Sequence, residues 1–349
     1  MPTKPTPLTR SPLDSLACVN VRCELYRQAG QDNLTVRKVY GADRIRYLRC
    51  CACRAEFSER KNSALWNTKV CEAKAVAVGE HLAEGCSLKG TARLVKVDAS
   101  TVRRLNQRLG EQGQRFHHDQ AQALCVEAIE ADERHGYATH KGQPAWEAEL
   151  MDAVSKFVIS HVQGRRNEAL IRTLLEDGAA RLAQRQDLVL LTDGEASYAT
   201  LFPEIFGQPY RPSRSSHRGR PPKLRFRIPR SLAHVQVVKH RVGSRVTHVE
   251  IRQAHGSQKR VAQVLEKLGY QVANTSAIER RNGTARTMSA YQVRKSLAFA
   301  RRTDTKQALG WWGVTVYNWC RLHRSLRLPL TQPMGKKSTT NGRQPWHSV

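Results

Sequence analysis

The chain has 349 residues, with 58 Lys and Arg against 30 Asp and Glu, and a formal net charge of +28 at pH 7. An excess of that size draws a polyanion, and nucleic acid is the expected partner. No apolar run reaches the roughly 18–20 residues that cross a bilayer, the polar start at 1–12 has no apolar signal core, and nine scattered cysteines do not make a secreted disulfide framework, so a reduced, cytoplasmic, nucleoid-associated protein without a membrane partner is expected.

Residues 1–17 read as a disordered N-terminus, followed by a small module at 18–60. Cys18 and Cys23 form C-x4-C, and Cys50 and Cys53 form C-x2-C. Two such pairs, joined by a segment able to fold back as a hairpin, bring four thiolates around one structural Zn2+. The intervening runs, 34–40 and 44–49 around Gly41, read as that hairpin, and a segment with so few apolar residues needs a metal to fold. Cys51 competes with Cys50, but C-x-C is the poorer chelate step. The isolated Cys71, Cys86, Cys125 and Cys320 are expected as small core residues.

From 68 to 110 the pattern is helical. Ala75, Val78 and Leu82 recur at helix spacing before Gly85, and Ser87 can cap a short second helix. After a turn at Val97 and Asp98, a third helix would turn Val102, Leu105 and Leu109 inward. Its outward face then carries Ser100, Thr101, Arg103, Arg104, Gln107 and Arg108, side chains suited to phosphates and base edges. This reads as a helix-turn-helix DNA-binding domain, with 111–122 as a helical extension or linker.

The remainder, 123–330, reads as an α/β domain of the RNase H-like kind, a mixed sheet with flanking helices. Three strands (the first ending at Asp132, the others at 146–154 and 156–162), a helix at 167–183 and a fourth strand, Asp187 to Thr192, come in the order that sets the ends of the first and fourth strands side by side. Asp193 and Gly194 follow at once. Glu279 lies in the first turns of a later helix. Two strand-end carboxylates and one from a helix suit a pair of Mg2+ ions, with Mn2+ as an alternative, because hard oxygen ligands match a hard ion. Glu130 and Glu133 compete with Asp132 on the first strand, and alternation sets Glu130 on the same face as Asp132. Arg286, about two turns beyond Glu279, would face the same side and hold a DNA phosphate. Between Asp193 and Glu279, residues 203–256 read as a basic insertion with an Arg- and Pro-rich loop and a hairpin. Trp311, Trp312, Tyr317 and Trp319 are expected to pack a C-terminal helix onto the sheet, and 331–349 to form a tail.

Several of these stretches together resemble a known family. They are the two cysteine pairs, Asp132-Glu133, Thr192-Asp193-Gly194 with Tyr198, the run from Asn274 through Glu279 to Arg286, Arg294 to Phe299, and Tyr317-Asn318 with His323-Arg324-Ser325-Leu326-Arg327. The chain resembles the DDE transposases of bacterial insertion sequences, specifically the group like insertion sequence one. That resemblance implies Asp132, Asp193 and Glu279 as the metal-binding catalytic triad. It also implies action on double-stranded DNA, both element ends and target, by strand cleavage and transfer, and a homo-oligomer on DNA. Two other readings remain: a DNA-binding regulator with a decayed nuclease domain, and a nuclease for RNA–DNA hybrids.

Overall fold

The computed structural model describes residues 11–140, 142–213, 222–243, 245–293, 298–330 and 338–340. Most of the Arg-rich loop (214–221), residues 1–10 of the N-terminus, 294–297, and the tail apart from 338–340 lie outside the described residues. The chain divides into two compact units, Met1–Arg115 with Met288–Ala290 and Asp304–Trp312, and Phe116–Thr287 with Tyr291–Thr303 and Gly313–Val349.

In the first unit, β1 (Leu34–Tyr40), β2 (Ile45–Cys50) and β3 (Glu56–Ser58) make an antiparallel sheet in that order. The turn between β1 and β2 starts at Gly41, whose φ of +71° favours a residue without a Cβ. Leu34, Leu48 and Phe57 join the cysteines in a small core, with Leu13, Leu16, Val19 and Leu25 partly buried against it. Arg60 is buried and bonds the carboxylates of Asp43 and Glu72 at 2.7 and 2.9 Å, tying the sheet to the start of α1 (Glu72–Ala83).

Helix α2 (Leu88–Val95) is capped by Ser87, whose Oγ accepts from the Gly90 amide. Three residues, with Lys96 left-handed, connect it to α3 (Ala99–Gln120). The expected extension beyond 110 is therefore helical: α3 runs unbroken for 22 residues, and the division between the units falls inside it. Stretch 304–312 packs on these helices. A Cβ on Gly110 would lie 2.4 Å from Ala308, and the Trp312 indole donates to the Gly79 carbonyl at 2.8 Å. Trp312 thus packs on α1, not on the large sheet.

The second unit is mixed α/β. Strands β4 (Ala128–Arg134), β5 (Trp146–Asp152) and β6 (Val158–Gly164) form an antiparallel meander. Helix α4 (Glu168–Arg181), capped by Asn167, leads to β7 (Leu188–Thr192), which lies parallel beside β4. Helix α5 (Ala196–Phe206) follows, then a two-stranded ribbon of β8 (Gln208–Tyr210) and β9 (Arg225–Arg227). Strand β10 (Leu232–Val242) pairs parallel with β7, and β11 (Arg245–His255) pairs antiparallel with β10. The six-stranded order is β11-β10-β7-β4-β5-β6, with the first and fourth strands of the unit adjacent. Residues 232–242, expected within an insertion, are thus the fifth strand of the central sheet.

Alternation along the strands sorts the core. Ile129, Ala131, Leu188 and Leu190 pack on Leu170, Leu174 and Leu175 of α4 and on Leu201 and Phe202 of α5. On the other face, Val189, Leu191, Val235 and Val237 meet Val261 and Val264 of α6 (Gln258–Leu268). Met151 meets Ala277 and Ile278 of α7 (Ser276–Met288). Helix α8 (Thr303–Thr315) runs into a wider turn at Val316–Cys320. There the Asn318 amide exchanges hydrogen bonds of 2.9 and 3.0 Å with the backbone of Val158, serving as a strand partner for β6. A last ribbon pairs β12 (Leu328–Leu330) with β13 (Ser338–Thr340).

Cys71, Cys125 and Cys320 are exposed and Cys86 is half-buried, against the expectation that all four lie in the core. Cys71 precedes α1 and Cys320 ends the wider turn, so both sit at element boundaries where side chains meet solvent. Among the described residues, no helix is long and apolar enough to cross a membrane.

Candidate active site

Thiol atoms of Cys18, Cys23, Cys50 and Cys53 all lie within 4.8 Å of one another. Cys18 and Cys53 are 3.6 Å apart, and Cys23 and Cys50 are 3.9 Å apart. Four sulfurs bound at about 2.3 Å to a tetrahedral zinc stand about 3.8 Å apart, so the spacing fits that ion. A disulfide would need about 2 Å. Burial pushes the Cys18 thiol up to about 12, while bonds from Asn20 and the Ala55 amide bring Cys53 down to about 6. The Asn33 amide donates to Cys50 at 3.2 Å, and the exposed Cys51 stands outside the cluster.

The α3 face from the sequence reading divides in two. Ser100, Arg103 and Arg104 are exposed. Thr101, Gln107 and Arg108 are half-buried, and the Arg108 guanidinium is bonded to the Trp66 carbonyl.

The acidic site is built by the adjacency of β4 and β7. Strand β4 continues to Arg134, so Asp132 lies within it and not at its end as expected; because β4 and β7 run parallel, with Ala131 opposite Thr192, Asp132 comes beside Asp193, which follows β7. Carboxylate oxygens of Asp132, Glu133 and Asp193 there come within 4.8 Å of one another. This acidic cluster could hold a divalent metal, and its all-oxygen donor set matches a hard cation. Asp193 also accepts from the Glu195 amide at 3.0 Å, which fixes the turn into α5.

Glu133 was only a competitor in the sequence reading, yet it joins the cluster from the α5 face. Its side chain is 1% exposed, bonded by the Tyr198 hydroxyl and approached by Arg166 at 3.4 Å. Burial raises its pKa to about 7, helped by the charges of Asp193 and Asp132 and opposed by the Tyr198 bond. Asp132 is raised to about 6 by burial and then by the Asp193 and Glu279 charges.

Glu279 stands apart from that group. It projects from the first turn of α7 with a 45% exposed side chain, bonded by the ammonium of Lys239 on β10 and by the Thr275 hydroxyl at 2.8 Å. Its charge still reaches Asp132 and Glu130. Arg286 lies on the same helix, half-buried and partnered.

Three residues on one face of β4 each bond α7. Glu130 accepts from the Ile278 amide at 2.8 Å, Asp132 accepts from the Asn282 amide at 2.7 Å, and Arg134 donates to the Asn282 carbonyl oxygen at 2.9 Å. Behind them, Arg134 and Arg281 grip the buried Glu149. Burial alone would raise that carboxyl, but the two guanidinium groups hold it well below its usual range. No local pattern in the sequence marks Arg134, Glu149, Arg281 and Lys239 together as parts of one site. The period-two spacing of Glu130, Asp132 and Arg134 is the one local signal that could have found part of this set.

No family model matches this chain, and no curated protein sequence matches it. Among solved structures it is similar to the Mos1 strand transfer complex, at 10% identity and a TM-score of 0.19 over 73% of this chain and 80% of that one. It is also similar to a pre-cleavage Mos1 transpososome, at 10% identity and a TM-score of 0.21 over 72% and 79%. At those TM-scores the strand order and the acids themselves, not the likeness, carry the reading of this site.

Proposed function

We propose that this chain is a DDE-type transposase, which binds the ends of an insertion sequence as a homo-oligomer and cuts and joins DNA strands. The observation that carries this is the meeting of Asp132 and Asp193 across two adjacent parallel strands, with Glu279 on α7 apart from that pair but close enough for its charge to act on Asp132. A net charge of +28 supplies the attraction to DNA, and the Arg103 and Arg104 face of α3 supplies a reading surface. The resemblance to the group like insertion sequence one supports the same reading.

Asp132, Asp193 and Glu279 would hold divalent Mg2+ ions. When bound, a pair of such ions supplies an activated hydroxyl nucleophile and a stabilised leaving oxygen. The chain's own part is to hold these carboxylates on rigid elements, so that little reorganisation accompanies the reaction. Glu279, half-exposed and paired with Lys239, would have to give up that partner to hold an ion. Cys18, Cys23, Cys50 and Cys53 hold Zn2+ and fold the N-terminal module.

Duplex DNA from both flanks of the coding sequence provides the test. Wild type should bind it and join its 3′ ends to a target plasmid in Mg2+. Asp132→Ala and Glu279→Ala should bind equally well and lose joining by about a thousandfold or more. Strand joining by either variant in Mg2+ shows that the acids are wrongly assigned.

A further inference from the structure

The reaction assigned above needs Asp132 aimed at Asp193, yet no group on β7 holds it there. Its Oδ1 accepts from the Glu133 amide at 2.8 Å, and the bond to its other oxygen comes from across the site, on α7. The Asn282 Nδ2 donates to Asp132 Oδ2 at 2.7 Å, and its Oδ1 accepts from Arg134 Nη1 at 2.9 Å. A side-chain amide offers donor and acceptor on opposite sides, so the Arg134 bond decides which way round the Asn282 amide sits. With a carboxylate on one side and a guanidinium on the other, only the observed orientation satisfies both.

Arg134 is itself buried and held by carboxylates. It is 1% exposed and bonds Glu147 at 3.0 Å and Glu149 at 2.7 Å. Glu149 is also bonded by Arg281, the neighbour of Asn282 on α7, at 2.9 and 3.0 Å, and by His161 at 3.1 Å. Arg281 rests on the Tyr317 ring at 4.2 Å. Buried charges linked this closely cannot shift singly, because any movement strands a charge without its partner. Asn282 is 4% exposed, so it does not face DNA.

We propose that Asn282 is a positioning residue for the metal-binding carboxylate: held by Arg134 and the buried Glu149–Arg281 pair, it sets the rotamer of Asp132 and keeps that carboxylate aimed into the acidic cluster. This rests on the function proposed above. Partners that orient a metal ligand in this way affect metal affinity or activity by about 10- to 100-fold.

The test uses the full chain and measures Mn2+ binding by calorimetry without DNA, affinity for flank DNA, and strand joining. Asn282→Leu matches the side chain in size but offers neither donor nor acceptor. It should weaken Mn2+ binding and lower the joining rate by about tenfold or more, with DNA affinity unchanged. A general loss of structure would lower DNA affinity as well, so that split separates positioning from folding. Asn282→Ala, which only removes atoms, gives the same readouts if the leucine variant does not fold. Wild-type Mn2+ affinity in a folded Asn282 variant overturns the proposal, even if joining is reduced. Asp132→Ala is the control: if it still joins strands, the transposase reading itself falls, whereas a silent Asn282 variant beside a dead Asp132→Ala removes only the positioning role.

Discussion

The ammonium of Lys239 on β10 is bonded to the carboxylate of Glu279 on α7. The carboxylate proposed as a metal ligand therefore already holds a cation from the chain, and an incoming ion must displace it. A half-exposed pair of this kind is worth up to about 1 kcal/mol, or roughly fivefold in an equilibrium constant. Lys239→Met should therefore bind Mn2+ up to about fivefold more tightly in calorimetry without DNA. Unchanged or weaker binding would mean that Glu279 does not receive the ion.

Glu133 and Glu279 are rivals for the third place in the acidic site. Glu133 is nearer to Asp132 and Asp193, but it is buried beneath Tyr198 and Arg166, while Glu279 opens to solvent where a substrate can arrive. Glu279→Gln should cost about a thousandfold in strand joining. Glu133→Gln, which keeps an acceptor for Tyr198 and removes only one nearby charge, should cost about tenfold. The reverse order of losses would make Glu133 the ligand.

Stability of the metal-free chain should depend on pH through Glu130. Burial pushes its pKa from 4.5 to about 7, so the folded chain keeps a proton that the unfolded chain releases. Its favourable contribution is complete below 4.5 and is lost as pH rises through about 7. Asp132 and Glu133 act in the same direction, while His117 and His234, lowered to about 4 and about 3 by burial, act in the opposite one. Glu130→Gln isolates the effect because glutamine still accepts from Ile278 and never ionises. In urea unfolding it should be more stable than wild type by about 1–3 kcal/mol at pH 8, with the difference gone at pH 4.5. An equal difference at both pH values would contradict the buried ionisation.

Much of the frame of this site is legible in local sequence. The apolar run Leu188 to Leu191, followed by Thr192, Asp193 and Gly194, marks a buried strand ending in an acid, and the strand is found there. Ser87 reads as the cap of a short helix, and its side-chain oxygen does accept from the Gly90 amide at the start of that helix. What escaped depends on partners far along the chain. Nothing near Asn282 announces Asp132, and nothing near Lys239 announces Glu279; those pairs exist only once β4, β10 and α7 are packed. Strand β10 was absorbed into an insertion because the Arg-rich stretch before it hides its continuity with the sheet. The isolated cysteines were misread because a small apolar residue at an element boundary looks locally like one in a core.

The N-terminal module should contain one zinc per chain. Cys18→Ser or Cys53→Ser should lose it, because either change removes a thiolate from a cluster with no spare ligand among the described residues, and Cys51→Ser should retain it. Metal analysis of the purified variants reads this directly. With so small an apolar core beside the thiols, loss of zinc should also open this module to protease. Equal zinc in Cys51→Ser and Cys53→Ser would contradict the ligand set.

The central claim is that Asp132, Asp193 and Glu279 hold ions that touch the phosphate being attacked. Replacing a non-bridging oxygen of that phosphate with sulfur tests the contact, because hard Mg2+ binds sulfur poorly and softer Mn2+ accepts it. With the sulfur in place, strand joining should fall by about tenfold or more in Mg2+ and recover in Mn2+, and Asp132→Ala should join in neither. An equal effect of sulfur in both ions, or none in either, would contradict a metal at the scissile phosphate.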